Sequence, residues 1–185
     1  MTDTTLTPDL LAFIREAKDR QEIHDCLLRY TRGVDRHDME LMKSAYHPDA
    51  WDEHGVAEGD PAAFCSWAIG WHAEFQTRHQ HVINNHTVEI AGDTAHAETY
   101  YLFLAENREG PPTLAFGRYV DRLEKRAGKW AIAHRVCVNE LAGAFTPVDM
   151  PAEYLAQMHS TGPDTRDKRD VSYVRPLTKD RARPA

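Results

Sequence analysis

Cysteine is scarce in this 185-residue sequence: Cys26, Cys65 and Cys137 lie far apart and show no Cys-x-x-Cys spacing. That excludes a disulfide or zinc framework and suits reduced, buried thiols in a cytoplasmic protein. No apolar run approaches the ~20 residues needed to span a bilayer, and the polar start from Met1 to Thr5 does not read as a signal peptide. Positive charge is in deficit, with 22 Lys and Arg against 29 Asp and Glu, a net charge of −7 and a pI near 5.9. That balance argues against a nucleic acid or an anionic membrane as partner. The chain also lacks HExxH, any close Cys/His cluster, internal repeats and low-complexity blocks.

What is present suits one soluble domain. Hydrophobic residues make up 42% and charged residues 28%, enough to bury a real core. Thr7-Pro8-Asp9 predicts an N-cap, a proline at the first helical position and an acid in the first turn, opening a short helix over residues 8–17. A second helix, separate from it or continuous with it, carries Ile23, Leu27, Tyr30 and Val34 as one apolar stripe. Gly33 marks its end or a distortion, and Asp35 lies to the side of the stripe. Asp38 reads as the N-cap of a short helix over 39–46, which His47-Pro48-Asp49-Ala50 ends by turn chemistry. Trp51 to His54 predicts a short strand. Asp60-Pro61 opens a third helix with Phe64, Trp67, Ala68 and Trp71 on one side.

From residue 78 the pattern becomes that of strands, over 79–90, 95–105, 114–124 and 129–141, separated by turn signals at Gly92-Asp93, Glu109 to Pro112 and Ala127-Gly128. Helices followed by four consecutive strands imply an α+β fold, with the helices covering one face of a curved, mostly antiparallel sheet. Period-two alternation on the last strand puts Trp130, Ile132, His134, Val136 and Val138 on one face. Ala131, Ala133, Arg135, Cys137 and Asn139 fall on the other, where small residues around one arginine and one amide would suit a cavity wall. Arg135 reads equally well as half of a salt bridge at the sheet edge. Both faces look partly buried, which favours an oligomer. Polar residues on both faces between His81 and Asn85 predict a bulge or cavity there.

A lone histidine in a strand is usually structural, but a histidine paired with a carboxylate is a base. The carboxylate fixes the tautomer, raises the basicity of the other nitrogen and stabilises the imidazolium formed on taking a proton. Tyr30…Asp35 on the helix, His81…Asn85 on the first long strand and Gly128-Lys129-Trp130…Arg135 on the last strand, in that order, resemble the SnoaL-like branch of the nuclear transport factor 2-like superfamily. The likeness covers roughly residues 15–145.

The resemblance implies a cone-shaped barrel, cystatin-like, with a curved sheet wrapped around N-terminal helices and a deep apolar pocket. Residues 1–145 are expected to form one domain, and the tail over 146–185, rich in Pro, Asp and Arg, to wrap the surface or a neighbouring subunit or to be mobile. Asp35 and His81 carry over as a catalytic dyad, Arg135 as an electrostatic partner and Tyr30 as an aid to a hydroxyl or carbonyl leaving group. Trp51, Trp67, Trp71, Asn85, Tyr101 and Phe103 are the expected substrate contacts. Trp67 and Trp71 read as core first and pocket lining second. The activity implied is a cofactor-independent lyase of the dehydratase type, acting on a small hydrophobic, hydroxylated or cyclic compound. A homotrimer is favoured and a dimer is the alternative.

Three other readings compete. An isomerase or polyketide-cyclase-like reaction would use the same base without a leaving group, and a binding module of the same fold would use no base at all. A metal site built from His79, His81, His86 and Asp35 is the third, but no metal is expected. His37, His54 and His72 read as solvated, and His134 as a subunit-contact residue.

Overall fold

The computed structural model describes residues 6–162 and 165–182. Thr7 caps the first helix, its hydroxyl accepting the Leu10 N–H at 3.3 Å, with Pro8 in the first turn. The two expected helices are a single one, α1 (Pro8–Asp35). Its two halves differ: Leu10, Leu11, Phe13 and Ile14 are exposed, whereas Ile23, Cys26, Leu27, Tyr30 and Val34 are buried.

Gly33 neither ends nor distorts this helix. A Cβ there would lie 2.4 Å from the Met42 backbone nitrogen, so the glycine lets α2 (Met39–Lys43) close directly on α1. The helix runs on to Asp35, and the chain reverses through His37, which adopts a φ of 49°. Asp38 then caps α2, accepting the Leu41 N–H at 3.3 Å.

Residues 47–50 are not a turn. They belong to β1 (Tyr46–Glu53), and Pro48 falls where the register against the last strand shifts, so its missing N–H is tolerated. After β2 (Glu58–Gly59), Asp60 accepts the Ala62 and Ala63 N–H groups at 2.8 and 2.9 Å and starts α3 (Pro61–Phe75). Four long strands follow: β3 (Gln76–Ala91), β4 (Thr94–Asn107), β5 (Thr113–Arg126) and β6 (Lys129–Ala144). Each extends past its expected limits.

The sheet order is β2-β1-β6-β5-β4-β3, with β1 parallel to β6 and every other pair antiparallel. α1 packs on β3 and β6, and α3 on β1 and β3, so the helices span the curved sheet from β1 to β3. The α+β architecture is as expected. The barrel is open, with β2 and β3 as its free edges.

Inward positions alternate regularly on β4 (Thr99, Tyr101, Phe103, Ala105) and β5 (Gly117, Tyr119, Asp121, Leu123). On β6 the alternation slips. Leu123 pairs with Ile132 but Arg122 with His134, so a bulge at Ala133 changes the phase. The inner face therefore carries Trp130, Ile132, Arg135, Cys137 and Asn139, correcting the two faces read from strict period two. The outer face leaves Tyr100, Phe116, Val120, Val136 and Leu141 exposed.

Beyond the sheet lie α4 (Ala152–His159) and a short 3-10 turn, Val171–Tyr173. Lys168 and the Tyr173 hydroxyl both bond Asp38 Oδ2, the latter at 2.9 Å. Arg166 donates to the carbonyls of His72 and Gln76 at 2.8 and 2.7 Å, so this stretch lies behind the junction of α1, α2 and α3. Among the described residues no helix is long and apolar enough to cross a membrane.

Candidate active site

The last turn of α1 delivers Asp35 to β3. Its carboxylate accepts the His81 backbone N–H at 3.0 and 3.2 Å, and Oδ1 lies 2.7 Å from His81 Nδ1. The two contacts lock side chain and strand together. Nδ1 thus carries the proton that Asp35 accepts, and Nε2 keeps its lone pair. His81 packs against Phe103 with ring centroids 4.8 Å apart and lines a cavity of about 260 Å³.

The cavity is walled by Tyr30 and Val34 of α1, Phe64, Ala68 and His72 of α3, and Tyr101, Phe103, Ala115, Tyr119, Cys137 and Asn139 of the sheet. Val56, Trp67 and Trp71 also line it. The two tryptophans are 37% and 39% exposed and stack at 6.4 Å, so they sit at the rim and are not core. Tyr101 and Phe103 reach the cavity as expected, and the Tyr101 hydroxyl donates to Asn139 Oδ1.

Trp51 and Asn85 do not line the cavity. Trp51 is 45% exposed on β1, and Asn85 is exposed in the register shift between Ile83 and His86, where the bulge turns it outward.

Arg135 is completely buried, neither at the sheet edge nor in the cavity wall. Its Nε and Nη2 donate to the two oxygens of Asp121 at 2.7 and 2.8 Å. Its guanidinium carbon lies 4.3 Å from the centre of the Tyr30 ring and 4.1 Å from that of Tyr119. Both rings line the cavity, so they stand between Arg135 and its interior. Burial raises the Tyr30 and Tyr119 hydroxyls well above the usual phenol range, keeping both protonated.

Sequence reasoning missed a second histidine–carboxylate pair. His54, just past β1, lines the cavity and holds Asp52 Oδ1 through Nδ1, while the Tyr46 hydroxyl donates to Asp52 Oδ2 at 2.5 Å. Its ring stacks on Phe64 at 4.5 Å, and its Nε2 lies 3.4 Å from the Tyr30 hydroxyl. Burial alone would lower the His54 pKa, but hydrogen bonds to Asp52 and Cys137 push it up to about 9. The signal was available: in extended chain, Asp52-x-His54 puts both side chains on one face.

His72 was also misread as solvated. It falls on the buried stripe Phe64, Ala68, His72 of α3, and its Nδ1 donates to Gln76 Oε1 at 2.7 Å. Burial and the neighbouring His81 pull its pKa down to about 3. His37 is half-buried and is pulled down to about 4 by burial and Arg166. His134, outside, pairs with Glu53 at 2.8 Å.

Asp35, His79 and His81 bring one ligand atom each to within 4.8 Å of one another, the grouping a metal would use. His79 fits that role poorly. Its side chain is fully buried, and its Nε2 donates to the Val34 carbonyl at 3.2 Å, leaving no lone pair towards Asp35. His86 is elsewhere, bonded to Thr99 at 2.8 Å.

The fold recurs in solved structures. Hexachlorocyclohexane dehydrochlorinase LinA-type3 from Novosphingobium barchaimii LL02 superposes with a TM-score of 0.68 at 18% identity, over 75% of this chain and 97% of that one. A scytalone dehydratase-like protein from Novosphingobium aromaticivorans gives 0.64 at 15% identity, over 72% and 91%. A protein with a cystatin-like fold from Nostoc punctiforme gives 0.58 at 19% identity, over 67% and 92%. No curated protein is a significant match by sequence. The model of the SnoaL-like domain family matches residues 15–136, most of the chain, and the protein belongs to that family.

Proposed function

We propose that this protein is a cofactor-independent lyase of the dehydratase type, with His81 as its base and Asp35 as the residue that positions it. The observation that carries this reading is the Asp35–His81 pair, at 2.7 Å on the edge of a mostly apolar cavity. Asp35 accepts a hydrogen bond from Nδ1–H, so Nε2 is the nitrogen left to remove a proton beside a carbonyl. Asp35 then balances the imidazolium that forms. The Tyr30 hydroxyl, kept protonated by burial, is placed to hydrogen-bond a substrate oxygen.

The cavity volume, about 260 Å³, falls just below the roughly 300–1,000 Å³ of drug-sized sites, which favours a one- or two-ring substrate. Trp67 and Trp71 at the rim suit a flat hydrophobic ring, and the similarity to dehydratase and dehydrochlorinase folds supports elimination over other chemistry. The exposed apolar residues of the outer sheet face support a homo-oligomer, for which a trimer is the leading arrangement. The described residues after 145 belong to a tail outside the catalytic domain in this reading.

The test is a screen of hydroxylated cyclic ketones, with products followed by mass. Loss of water is the expected result, and His81→Ala should cut turnover by roughly 10²–10⁴-fold with an unchanged circular dichroism spectrum. A His81→Ala protein as active as the parent would refute the mechanism. Products of unchanged mass would move the assignment to an isomerase or cyclase.

A further inference from the structure

A dehydration has two proton transfers, and one base accounts for only the first. Hydroxide is a poor leaving group, so the departing oxygen needs a proton as its C–O bond breaks. His81 cannot supply it in the same instant that it removes the carbon-bound proton. We propose that His54, positioned by Asp52 and Tyr46, is the proton donor to the leaving oxygen. This rests on the lyase reading above and adds a second catalytic residue to it.

Placement is the first argument. His54 follows β1 and His81 lies on β3, towards opposite sides of the open sheet, and both line the one cavity. Their surroundings are separate: His54 stacks on Phe64 at 4.5 Å, and His81 packs at a tilt against Phe103 at 4.8 Å. Orientation is the second. With Nδ1 held by Asp52, the N–H that remains on a charged ring is at Nε2, and the Tyr30 hydroxyl 3.4 Å away marks the polar spot beside it.

Charge is the third. The groups facing His54 are Asp52 on β1, Tyr30 on α1, Tyr119 on β5 and Cys137 on β6; Arg135 is shielded behind the two tyrosine rings and paired with Asp121. Burial opposes charge on His54, but Asp52 and Cys137 outweigh it and hold the pKa near 9, so the ring is an imidazolium at neutral pH. Burial leaves the Tyr30 phenol a far weaker acid.

The step balances without an oxidant or reductant. His81 Nε2 takes the proton on the carbon beside the carbonyl, and that C–H pair becomes the C=C bond. The C–O pair leaves with oxygen, which takes the His54 Nε2 proton and departs as water. Transfer of the proton from His81 to His54 through solvent restores the starting state.

The experiment compares two probes: a cyclohexanone with a β-hydroxyl, and its analogue with a β-(para-nitrophenoxy) group, which leaves without protonation. His54→Gln should slow loss of water at least about a hundredfold and loss of nitrophenoxide by no more than about fivefold. His81→Ala should slow both by roughly 10²–10⁴-fold. Asp52→Asn should behave as a weaker His54→Gln. Equal losses on both probes in His54→Gln would overturn the donor role, since a residue that only maintains the fold or binds the carbonyl does not read the leaving group.

Should the parent protein act on neither probe, the lyase reading fails on them, and nitrogen NMR of the imidazoles decides the fate of His54 independently. A doubly protonated ring at neutral pH, made neutral in Asp52→Asn, is expected. A neutral ring in the parent protein overturns the proposal.

Discussion

The two histidine–carboxylate pairs on this cavity are alike in composition and opposite in construction. Asp35 and His81 are 46 residues apart, and the pair exists only because a helix end is driven against a strand. Asp52 and His54 are two residues apart at the end of one strand, and the pair needs only extended backbone. The carboxylate of the first accepts the His81 backbone N–H as well as its ring. That of the second accepts a buried phenol, Tyr46, and its histidine is held charged by its surroundings. A pair assembled by tertiary packing is sensitive to whatever holds the helix in place. A locally built pair is sensitive to the charge around it.

The largest expected effect comes from the buried ion pair between them. Arg135 lies under Tyr30 and Tyr119, and its removal leaves Asp121 charged in the core. Arg135→Met should destabilise the fold by about 3–5 kcal/mol. Urea unfolding would measure the loss, and Arg135→Met with Asp121→Leu should recover most of it. If the single variant unfolds at the parent midpoint, Arg135 contributes no more than packing.

Next is the orienting carboxylate. Asp35→Asn keeps the shape but offers an amide N–H to Nδ1, favouring the tautomer whose Nε2 is already protonated. A fall in kcat of roughly a hundredfold or more is expected, within the range of acid–base contributions. KM should change little, which separates lost orientation from lost binding.

Gly33 tests the tertiary half of the comparison. A Cβ there meets the backbone of Met42, not a side chain that can swing away. Gly33→Ala should cost about 1–3 kcal/mol by overpacking and should loosen the Asp35–His81 contact while sparing His54. Ring-proton NMR of the two histidines would show whether only one is disturbed.

These contrasts explain what could be read from the chain. The helix–sheet order, the four long strands and the shift of register past His81 follow from hydrophobic period and turn residues, which are local. Asp35 and His81 were reached through an ordered set of motifs resembling a known family. The phase of β6 was lost because a bulge at Ala133 cannot be seen in alternation alone. Gly33 carried an ordinary helix-end signal, and only the approach of α2 gives it a different purpose. His54 and His72 were misjudged although each carries a local signal: Asp52-x-His54 shares one face of extended chain, and His72 continues the stripe of Phe64 and Ala68 on α3. What the local pattern does not give is the cavity that both residues line, which forms only when α3 packs against the sheet.

The last expected effect is on stability against pH, and it isolates the locally built pair. His54 is raised to about 9 from an ordinary 6.5, so the folded protein holds a proton there that the unfolded chain releases. Its contribution is complete below about pH 6.5 and is lost as the pH climbs through 9, with a slope of at most about 1.4 kcal/mol per pH unit for one proton. His72 acts in the opposite sense: lowered to about 3, it stays neutral when folded, and its contribution fades as the pH falls from 6.5 through 3. The buried thiols of Cys26 and Cys65, raised by desolvation to about 11 and 12 from 9.0, add their own loss only above about pH 9. The window from 6.5 to 9 therefore reports chiefly on His54. Urea midpoints across that window should decline in the parent protein and flatten in His54→Gln, while both proteins keep the acid-side decline set by His72, His37 and the other histidines that burial lowers. An equal alkaline slope in the two would mean that His54 is already neutral in the folded state.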